Sequence, residues 1–547
     1  MESKISNALN ARSRDGMVTS PHALASAAGR EVLRAGGNAI EAAIAIGAVL
    51  CVTYPHFTGL GGDAFWVVAD RSGDVRTISG AGQAAMHLPH HGEAIPVRGG
   101  AAALTSAGML DTWARAFAHS REAWSGTLAW STLFERAIEY AQDGFAVTQS
   151  QHFWQTLRAD QLNAQPGFAA TFAPNDASGA PPAPGSRFAQ PALARSLERI
   201  ARFGAREFYE GDLAERIAGG LRDAGSPLDA HDLASTRARE EAPLRVPYRG
   251  GELVGLQPPT QGVTMLEIMG TLAHFDFSAI EEGSADYYHL LVEAVKCAFV
   301  DRDRYVGDPD FAEVPVDMLL APETLAAHAR SIDMRRARAW PHRFRHGDTV
   351  FIGATDREGR SVSLLQTVYF DWGSGVVAGD TGILWHNRGA AFGTDARHPN
   401  TLAPGKRPFH TLTPGMYLRD GRPHLLFGTQ GADGQPQTLA AILTRLIDYG
   451  MDPLAALAQP RFLLGRTFSD MRDALKLEAD AGAQVLAELS ARGHEVSTIA
   501  AQSPLAGHPG VIRIDADGWA LGAHDPRSDG LAMAVDASPH TPPLAVG

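Results

Sequence analysis

A threonine at the start of a predicted strand is the residue of this sequence with the clearest chemical potential. Thr349 precedes a run of strand-forming residues, and a second threonine, Thr367, lies in the next such run. A threonine hydroxyl is a weak nucleophile, and it attacks an amide only when an adjacent base takes its proton. Spacing alone does not distinguish a nucleophile from an ordinary β-branched strand residue. The surrounding sequence therefore decides between these two interpretations.

The residues that position Thr349 are predicted to form a hairpin. Residues 350–355 and 361–368 are rich in valine, isoleucine, leucine, phenylalanine and threonine, which favour strands. Residues 356–359 between them, Asp-Arg-Glu-Gly, are typical of a turn. The pattern predicts two antiparallel strands, with Thr349 at the beginning of the first.

Thr349 and its hairpin, together with the glycine-rich stretch 372–384 (WGSGVVAGDTGIL), resemble the start of the small subunit of gamma-glutamyltransferases. These enzymes are N-terminal-nucleophile hydrolases. The resemblance implies a precursor that is cut between Asp348 and Thr349, which makes Thr349 a new N-terminus. An α-amine has a reference pKa of about 7.7 to 8.0, so near neutral pH it can act as the base for the hydroxyl of the same residue.

Further blocks resemble the same family in the same order, and they span nearly the whole chain. The resemblance therefore implies the family's fold for all of it. This fold is α+β, a four-layer αββα sandwich of the N-terminal-nucleophile hydrolase type that is self-processed into large and small subunits. The blocks are the glycine-rich loop 57–63 and the segments 301–310, 406–414, 428–437 and 524–530.

The resemblance also implies how the chain divides. Residues 1–348 would form the large subunit and residues 349–547 the small catalytic subunit, and together they would make one compact αββα unit. Residues from about 330 to 348 would be a basic, propeptide-like tail of the large subunit. We expect this tail to be mobile in the precursor and to uncover the pocket when it is released.

Three more positions carry catalytic roles by resemblance. Thr367 stands where the family has a second threonine whose hydroxyl supports the nucleophile. Gly431 and Ala432 stand at the paired glycines whose backbone N–H groups form the oxyanion hole. A main-chain donor does not depend on the side chain, so Ala432 keeps this role if its φ is negative.

The substrate-binding positions depart from the pattern of the family. The arginine that holds a substrate α-carboxylate falls at about Gly80, and the acidic position that holds the α-amino group falls on Ala390 and Ala391. A zwitterionic glutamyl head group would then be buried with both of its charges unpaired, which is unfavourable. The sequence argues against transfer of a gamma-glutamyl group.

Other residues at these positions indicate a different substrate. The pocket gains Arg388 and His410, which suit a single carboxylate, and Thr411 and Tyr369 stand at neighbouring substrate-contact positions. An exposed or salt-bridged Arg388 without this role is the alternative. The pattern is similar to the oxamate amidohydrolase-like or acylase-like branch of the family rather than to true gamma-glutamyltransferases.

We therefore predict an autoprocessing N-terminal threonine amidohydrolase. It would cleave the amide bond of a small carboxylate-bearing substrate, such as oxamate or a related acyl amide, through an acyl-enzyme on Thr349. Two alternatives stay open. One is a gamma-glutamyltransferase or glutathione hydrolase with a rearranged substrate clamp, and the other is a catalytically inactive binding protein of the same fold.

Composition excludes several other classes of function. The formal net charge is -13 and no dense basic run is present, which argues against a nucleic-acid partner. The two cysteines, Cys51 and Cys297, have neither disulfide-framework nor metal-site spacing. No apolar segment is long enough to span a bilayer, and no metal or organic cofactor is implied.

The expected partners follow from the predicted reaction. They are a small-molecule amide substrate and the two subunits of the chain's own precursor, while a homo-oligomer of such heterodimers is left open. The N-terminal residues show no signal-peptide pattern, so we expect a cytoplasmic protein.

Overall fold

The computed structural model describes residues 10–89, 94–176, 178–340, 347–466 and 472–536. Two seven-stranded antiparallel sheets lie face to face, and helices cover the outer face of each sheet. The molecule is the four-layer αββα sandwich that the sequence predicts.

The predicted hairpin is confirmed, and it forms the centre of the first sheet. Its turn is closed by a hydrogen bond from the Gly359 N–H to the Asp356 carbonyl (3.0 Å). In spatial order, with strands numbered along the chain, this sheet contains β19 (Leu531–Ala534), β2 (Gly16–Ser20), β10 (Asp348–Asp356), β11 (Ser361–Tyr369), β3 (Asp63–Ala69), β4 (Val75–Gly80) and β7 (Arg239–Glu241).

The second sheet stacks on the first and takes strands from both ends and the middle of the chain. Its spatial order is β1 (Asn10–Ser13), β18 (Ala520–His524), β17 (Gly510–Ile514), β13 (Arg422–Gly428), β12 (Gly415–Arg419), β9 (Gly251–Gly255) and β8 (Leu244–Tyr248). Shorter strands form two small sheets: β5 (Phe145–Ala146) with β6 (Arg187–Phe188), and β14 (Phe462–Gly465), β15 (Ala474–Glu478) and β16 (Val496–Ile499).

The core between the two sheets depends on the alternation of side chains along β10. Phe351 points to the inter-sheet core, while Val350 and Ile352 point to the helices over the first sheet. The Phe351 ring lies over two glycines of the second sheet, Gly428 and Gly510, where an added Cβ would be 2.4 and 2.5 Å from the ring. These two glycines let the sheets approach closely beneath the predicted nucleophile.

A layer of ten helices covers the outer face of the first sheet among the described residues. Asn38 and Glu41 form a capping box at the start of α2, which is buried on all sides, as its apolar sequence predicts. This layer contains α1 (Ala23–Arg34), α2 (Ala39–Thr53), α3 (Met109–Ala123), α4 (Glu135–Asp143), α5 (Gln149–Leu162), α6 (Phe168–Phe172), α7 (Pro191–Phe203), α8 (Glu207–Glu210), α9 (Asp212–Asp223) and α10 (Ala230–Ser235).

A second layer of helices covers the outer face of the second sheet. Among the residues that the structure describes, no helix in either layer is long and apolar enough to cross a membrane. The second layer contains α11 (Gly262–Leu272), α12 (Ala285–Tyr305), α13 (Val316–Leu319), α14 (Pro322–Ser331), α15 (Gln435–Ile447), α16 (Pro453–Ala458) and α17 (Ala483–Ala491).

Residues 330–340, the first part of the predicted tail, are hydrogen-bonded to the rest of the protein. This differs from the mobile segment that we expected. The Lys296 ammonium of α12 donates to the Arg338 carbonyl (2.7 Å), and the Arg338 N–H donates to the Glu293 carboxylate (3.1 Å). Buried charges on α12 take partners from this backbone, because unpaired they would be costly. Residues 341–346 of the predicted tail lie outside the described part of the chain.

We expect Phe351→Ala to lower the free energy of unfolding by about 3 to 5 kcal/mol, because it empties a large site between rigid sheets. The measurement is the denaturant midpoint in the Thr349→Ala background, in which both variants are expected to stay single chains. Phe153→Ala is the matched control, since Phe153 is 46% exposed. Equal midpoints for the two variants would contradict this account of the core.

Candidate active site

The β10 strand, which carries the predicted nucleophile, begins beside a β-bulge. The pairing with β11 is regular from Val350 onward but shifts by one residue between Val350 and Asp348, so Thr367 and Val368 lie opposite Thr349 alone. Bulges of this kind re-aim side chains. Here the bulge brings the Thr367 hydroxyl to the peptide bond that joins Asp348 to Thr349.

A glutamine holds the Thr349 hydroxyl in place. Thr349 is 1% exposed, and its Oγ1 accepts a hydrogen bond from Gln435 Nε2 (3.1 Å). The orientation of the Gln435 amide is fixed from its other end, because its Oε1 accepts from the Thr413 N–H (3.0 Å) and hydroxyl (3.1 Å). One lone pair of Oγ1 is therefore occupied, and the Thr349 proton is left for a base.

The carbonyl of the predicted scissile bond is also hydrogen-bonded. The Thr367 hydroxyl donates to the Asp348 carbonyl oxygen and accepts from the Tyr369 N–H (2.7 Å). A donor on this oxygen stabilises the negative charge that develops when the carbonyl carbon is attacked. In the uncut chain Thr367 thus contacts the electrophile rather than the Thr349 hydroxyl.

The side chain of Asp348 lies in an unusual electrostatic environment. Its carboxyl accepts a hydrogen bond from Gln430 Nε2, and burial, followed by the proximity of Asp371, raises its pKa to about 7. Asp371 itself is held by Arg98 (2.6 Å) and Arg158 (3.0 Å). The residue before Thr349 therefore titrates near neutral pH in the uncut chain.

The loop predicted to form the oxyanion hole is strained. Gly431 has φ +128° and Ala432 has φ +45°, so the negative φ on which the predicted role of Ala432 depended is not found. A left-handed alanine costs roughly 1 to 2 kcal/mol, and such strain persists only where neighbours enforce it. Gln261 does so here, because its Nε2 donates to the carbonyls of Ala432 and Thr411, each at 2.8 Å.

The segment just before the predicted scissile bond fills the space beside the loop that contains Gly431 and Ala432. A Cβ added to Gly347 would lie 2.9 Å from the Ala432 Cβ and 2.9 Å from Cε2 of Tyr369. Glycine is therefore required at this close approach in the uncut chain. Removal of this segment would free the surfaces of Ala432 and Tyr369 together.

Arg388 is the most unusual side chain of the site. It is completely buried, and its guanidinium carbon lies 3.6 Å from the centre of the Tyr369 ring. Within the described residues none of its three side-chain nitrogens has a hydrogen-bond partner, so it is neither exposed nor salt-bridged. Burial lowers its pKa to about 10, so Arg388 remains cationic at neutral pH. A buried, unpaired cation of this kind favours an anionic ligand.

His410 is tied to a buried carboxylate that the sequence analysis did not single out. Its Nε2 lies 3.0 Å from Asp63 Oδ2. Burial, then the charge of Arg388, lowers the pKa of His410 to about 3, so the ring is neutral at pH 7 and Nε2 carries the proton that Asp63 accepts. Its Nδ1 is a bare acceptor with no partner in the described part of the chain.

Asp63 organises this region from the start of β3. Its Oδ1 accepts hydrogen bonds from the N–H groups of Gly82 and Gly108, both at 3.0 Å. Burial alone would raise its pKa, but the His386 and His410 rings and these donors hold it below the usual value. His386 is anchored by the carbonyl of Ser106 at 2.9 Å. Asp63 therefore remains an anion near the Arg388 guanidinium, to which it is not hydrogen-bonded.

The structure brings most of the predicted site residues together. The Thr367 hydroxyl links Asp348 and Tyr369 by hydrogen bonds, Thr349 is bonded to Gln435, and Arg388 stacks on Tyr369. Thr411 is linked to Ala432 through Gln261, which donates to both of their carbonyls. At Gly80 an added Cβ would lie 2.3 Å from the Thr112 side chain, so an arginine does not fit there without movement. The residues that the sequence analysis missed are Asp63, Gln435 and His386; the first two lie in family-like blocks, which was the available signal.

The sequence profile of one known family, gamma-glutamyltranspeptidase, matches residues 25–535. The chain belongs to this family. An oxamate amidohydrolase proenzyme of Klebsiella pneumoniae is 43% identical over 525 residues, which cover 95% of this chain and 98% of that protein. The glutathione hydrolase-like YwrD proenzyme of Bacillus subtilis is 41% identical, with 95% and 98% covered.

Comparison with a solved structure shows that the similarity covers the whole fold of this chain. Cephalosporin acylase from Bacillus halodurans superimposes with a TM-score of 0.87 at 30% identity, over 97% of each chain. The relatives are hydrolases, and those similar in sequence are proenzymes. The chain is thus an amidohydrolase of the gamma-glutamyltranspeptidase family.

In this gamma-glutamyltranspeptidase-family chain, Thr367→Val should slow chain cleavage by about 10²- to 10³-fold, because it removes the donor to the scissile carbonyl. Densitometry of a denaturing gel over time measures the rate. Thr355→Val is the matched control, since Thr355 is a buried threonine of the same sheet that contacts Ser361 (3.0 Å). Cleavage of the Thr367 variant at the wild-type rate would refute the role of this donor.

The Asp348 carboxyl should make the uncut chain less stable as pH rises. The folded chain keeps this proton up to about pH 7, whereas the unfolded chain releases it near pH 3.8, so the free energy of unfolding falls across that window. We expect the melting temperature of Thr349→Ala to fall between pH 5.5 and 8. Thr349→Ala/Asp348→Asn should fall less; an equal fall in both chains would show that Asp348 is not the titrating group.

Proposed function

We propose that this chain is a self-processing N-terminal threonine amidohydrolase that acts on a small amide bearing a single carboxylate, such as oxamate. The observation that carries the proposal is the Arg388 guanidinium, fully buried and without a hydrogen-bond partner among the described residues. The Arg388 guanidinium stacks on the ring of Tyr369, and the Tyr369 N–H donates to the Thr367 hydroxyl. Thr367 in turn contacts Asp348, the residue before the predicted nucleophile.

The first reaction would cut the chain itself. The Thr349 Oγ1 attacks the carbonyl carbon of Asp348 while the Thr367 hydroxyl stabilises the negative charge on the oxygen. The peptide C–N bond breaks, the Thr349 nitrogen takes a proton to become a free amine, and Asp348 is held as an ester on Oγ1. Water then hydrolyses this ester and leaves Thr349 as an N-terminus.

The second reaction uses the same hydroxyl on a substrate amide. The freed α-amine accepts the proton of Oγ1 as it attacks, and it returns that proton to the leaving nitrogen. Gln435 keeps Oγ1 in position by its hydrogen bond. The N–H of Ala432 is the proposed oxyanion donor together with the N–H of Gly431. Ala432 lies next to the position that Gly347 fills in the uncut chain, and it takes this role in the left-handed conformation that Gln261 supports rather than with a negative φ. Water then releases the acid from the ester.

The charges of the pocket determine the proposed substrate class. Arg388 offers a planar, bidentate donor to one carboxylate. Ala390 and Ala391 supply no acid for an α-amino group, so a gamma-glutamyl head group would be bound with an unpaired ammonium. A short acid amide such as oxamate, which has one carboxylate next to the amide carbon, satisfies Arg388 without this penalty.

The two subunits would stay interlocked after cleavage. The first sheet takes β2, β3, β4 and β7 from residues before the cut and β10, β11 and β19 from residues after it. The second sheet likewise combines β1, β8 and β9 with β12, β13, β17 and β18. Each sheet would therefore be shared by both chains, so the subunits 1–348 and 349–547 are expected to purify as one unit.

The proposal predicts that Arg388→Met is cleaved normally but loses oxamate hydrolysis. Loss of one partner from a buried ion pair costs about 3 to 5 kcal/mol, which corresponds to at least a 10²-fold fall in kcat/KM. Ammonia release from oxamate gives kcat and KM, and intact mass gives the extent of cleavage. The control is Arg195→Met, because Arg195 is an exposed arginine. Unchanged kcat/KM in the Arg388 variant would overturn the proposed substrate contact.

A panel of amides separates the proposed function from its alternatives. Turnover of a gamma-glutamyl anilide with no turnover of oxamate would favour a glutathione hydrolase with a rearranged clamp. Preference for a glutaryl amide would place the substrate nearer to those of acylases. A wild-type chain that stays uncut and hydrolyses none of these amides would favour a binding protein of the same fold.

A further inference from the structure

Three ionisable side chains meet in the helical layer over the second sheet, apart from the residues around Thr349. They come from three different helices: Glu267 from α11, Asp301 from α12 and His328 from α14. His328 Nδ1 lies 3.3 Å from Glu267 Oε1, and His328 Nε2 lies 3.2 Å from Asp301 Oδ2. Ligand atoms of all three residues lie within 4.8 Å of one another.

The contact between Glu267 and His328 leaves two polar atoms without a hydrogen bond among the described residues. The Glu267 side chain is 1% exposed, yet neither its Oε1 nor the facing His328 Nδ1 makes a hydrogen bond within the described residues. Burial, followed by the nearby Asp301 carboxylate, raises the pKa of Glu267 well above its usual value. Buried polar atoms that lack partners are costly, and a cation between these atoms would satisfy both.

A second cluster in the same layer shows the opposite situation. His289 and His494 are hydrogen-bonded to each other (2.8 Å), and the Glu293 carboxylate accepts from Lys296 (2.7 Å). The lysine ammonium already supplies the positive charge that a metal ion would bring. These atoms are satisfied by the protein, so this second cluster serves as an internal comparison.

We propose that Glu267, Asp301 and His328 bind a divalent transition-metal cation of the zinc type. Carboxylate oxygen and imidazole nitrogen are common zinc ligands, and bonds of about 2.0 to 2.2 Å in a tetrahedron place ligand atoms about 3.3 to 3.6 Å apart. The 3.3 Å between His328 Nδ1 and Glu267 Oε1 fits this geometry. Asp301 now faces the other ring nitrogen, Nε2, so its carboxylate would move closer to join the same ion, within a set of ligand atoms that lie no more than 4.8 Å apart. The cation takes one ring nitrogen of His328 and one oxygen from each carboxylate.

The surroundings supply access and a structural role for the cation. The side chains of His328 and Asp301 are 19% and 21% exposed, so the ion can enter from solvent and a water can complete its coordination. The cation would join α11, α12 and α14. Because α14 leads into residues 332–340 and onward to the predicted cleavage point, it would fix the helix from which that segment departs.

Zinc titration of the full chain tests the proposed site. After dialysis against a chelator, isothermal titration with zinc chloride should give one equivalent bound to the wild type. Glu267→Gln and His328→Ala should each weaken that binding at least tenfold. Two histidine variants are matched controls and should bind as the wild type does: His274→Ala, from an exposed position after α11, and His494→Ala, from the hydrogen-bonded cluster.

The outcomes of the titration and the folding controls complete this test. Absence of zinc binding in the wild type, or wild-type affinity in both site variants, would overturn the proposal. Loss of binding in His494→Ala alone would move the site to the second cluster. If His328→Ala melts below the assay temperature, the isosteric Glu267→Gln decides.

Discussion

The β-bulge at the start of β10 is the constraint on which the predicted active site depends. It sets two residues of β11 opposite Thr349 and thereby places the Thr367 hydroxyl on the Asp348 carbonyl. A regular ladder would direct that hydroxyl elsewhere, since register decides where every side chain of a strand points. The bulge lies within the first sheet, so the predicted nucleophile and the carbonyl it would attack are positioned by strand pairing before any reaction begins.

The second requirement of the site is a balance of buried charge. Arg388 is an interior cation without a direct partner in the described residues, and it is stabilised at short range only by the face of the Tyr369 ring. Asp63 lies close enough to act on it electrostatically but is occupied by two N–H donors and His410. An acidic side chain that paired directly with Arg388 would occupy the guanidinium donors that are proposed to bind the substrate carboxylate. Because Asp63 is separated from Arg388, these donors stay available for that carboxylate.

The same framework serves the uncut chain and the proposed mature enzyme. Because both sheets take strands from either side of the Asp348–Thr349 bond, cutting that bond changes no strand neighbour. The contacts that a cut would release lie close to the bond: those of Gly347 with Ala432 and Tyr369, and the hydrogen bond from Thr367 to the Asp348 carbonyl. Ala432 and Tyr369 both have a positive φ, which is a strained backbone conformation for these residues. The hydrogen bond from Gln261 to the Ala432 carbonyl and the one from the Tyr369 N–H to Thr367 support this conformation.

The sequence alone determined the hairpin that carries Thr349, the family and the αββα fold, and it predicted Arg388 and His410 in place of the glutamyl clamp. These follow from local patterns and ordered blocks, which need no knowledge of packing. Only the tertiary structure decided that Arg388 is buried without a salt bridge to any described residue, and that Asp63 contacts a histidine 347 residues away. It also decided the positive φ of Ala432 and the role of Gln435. Burial, long-range partners and enforced strain arise when distant segments pack together, so no local pattern encodes them.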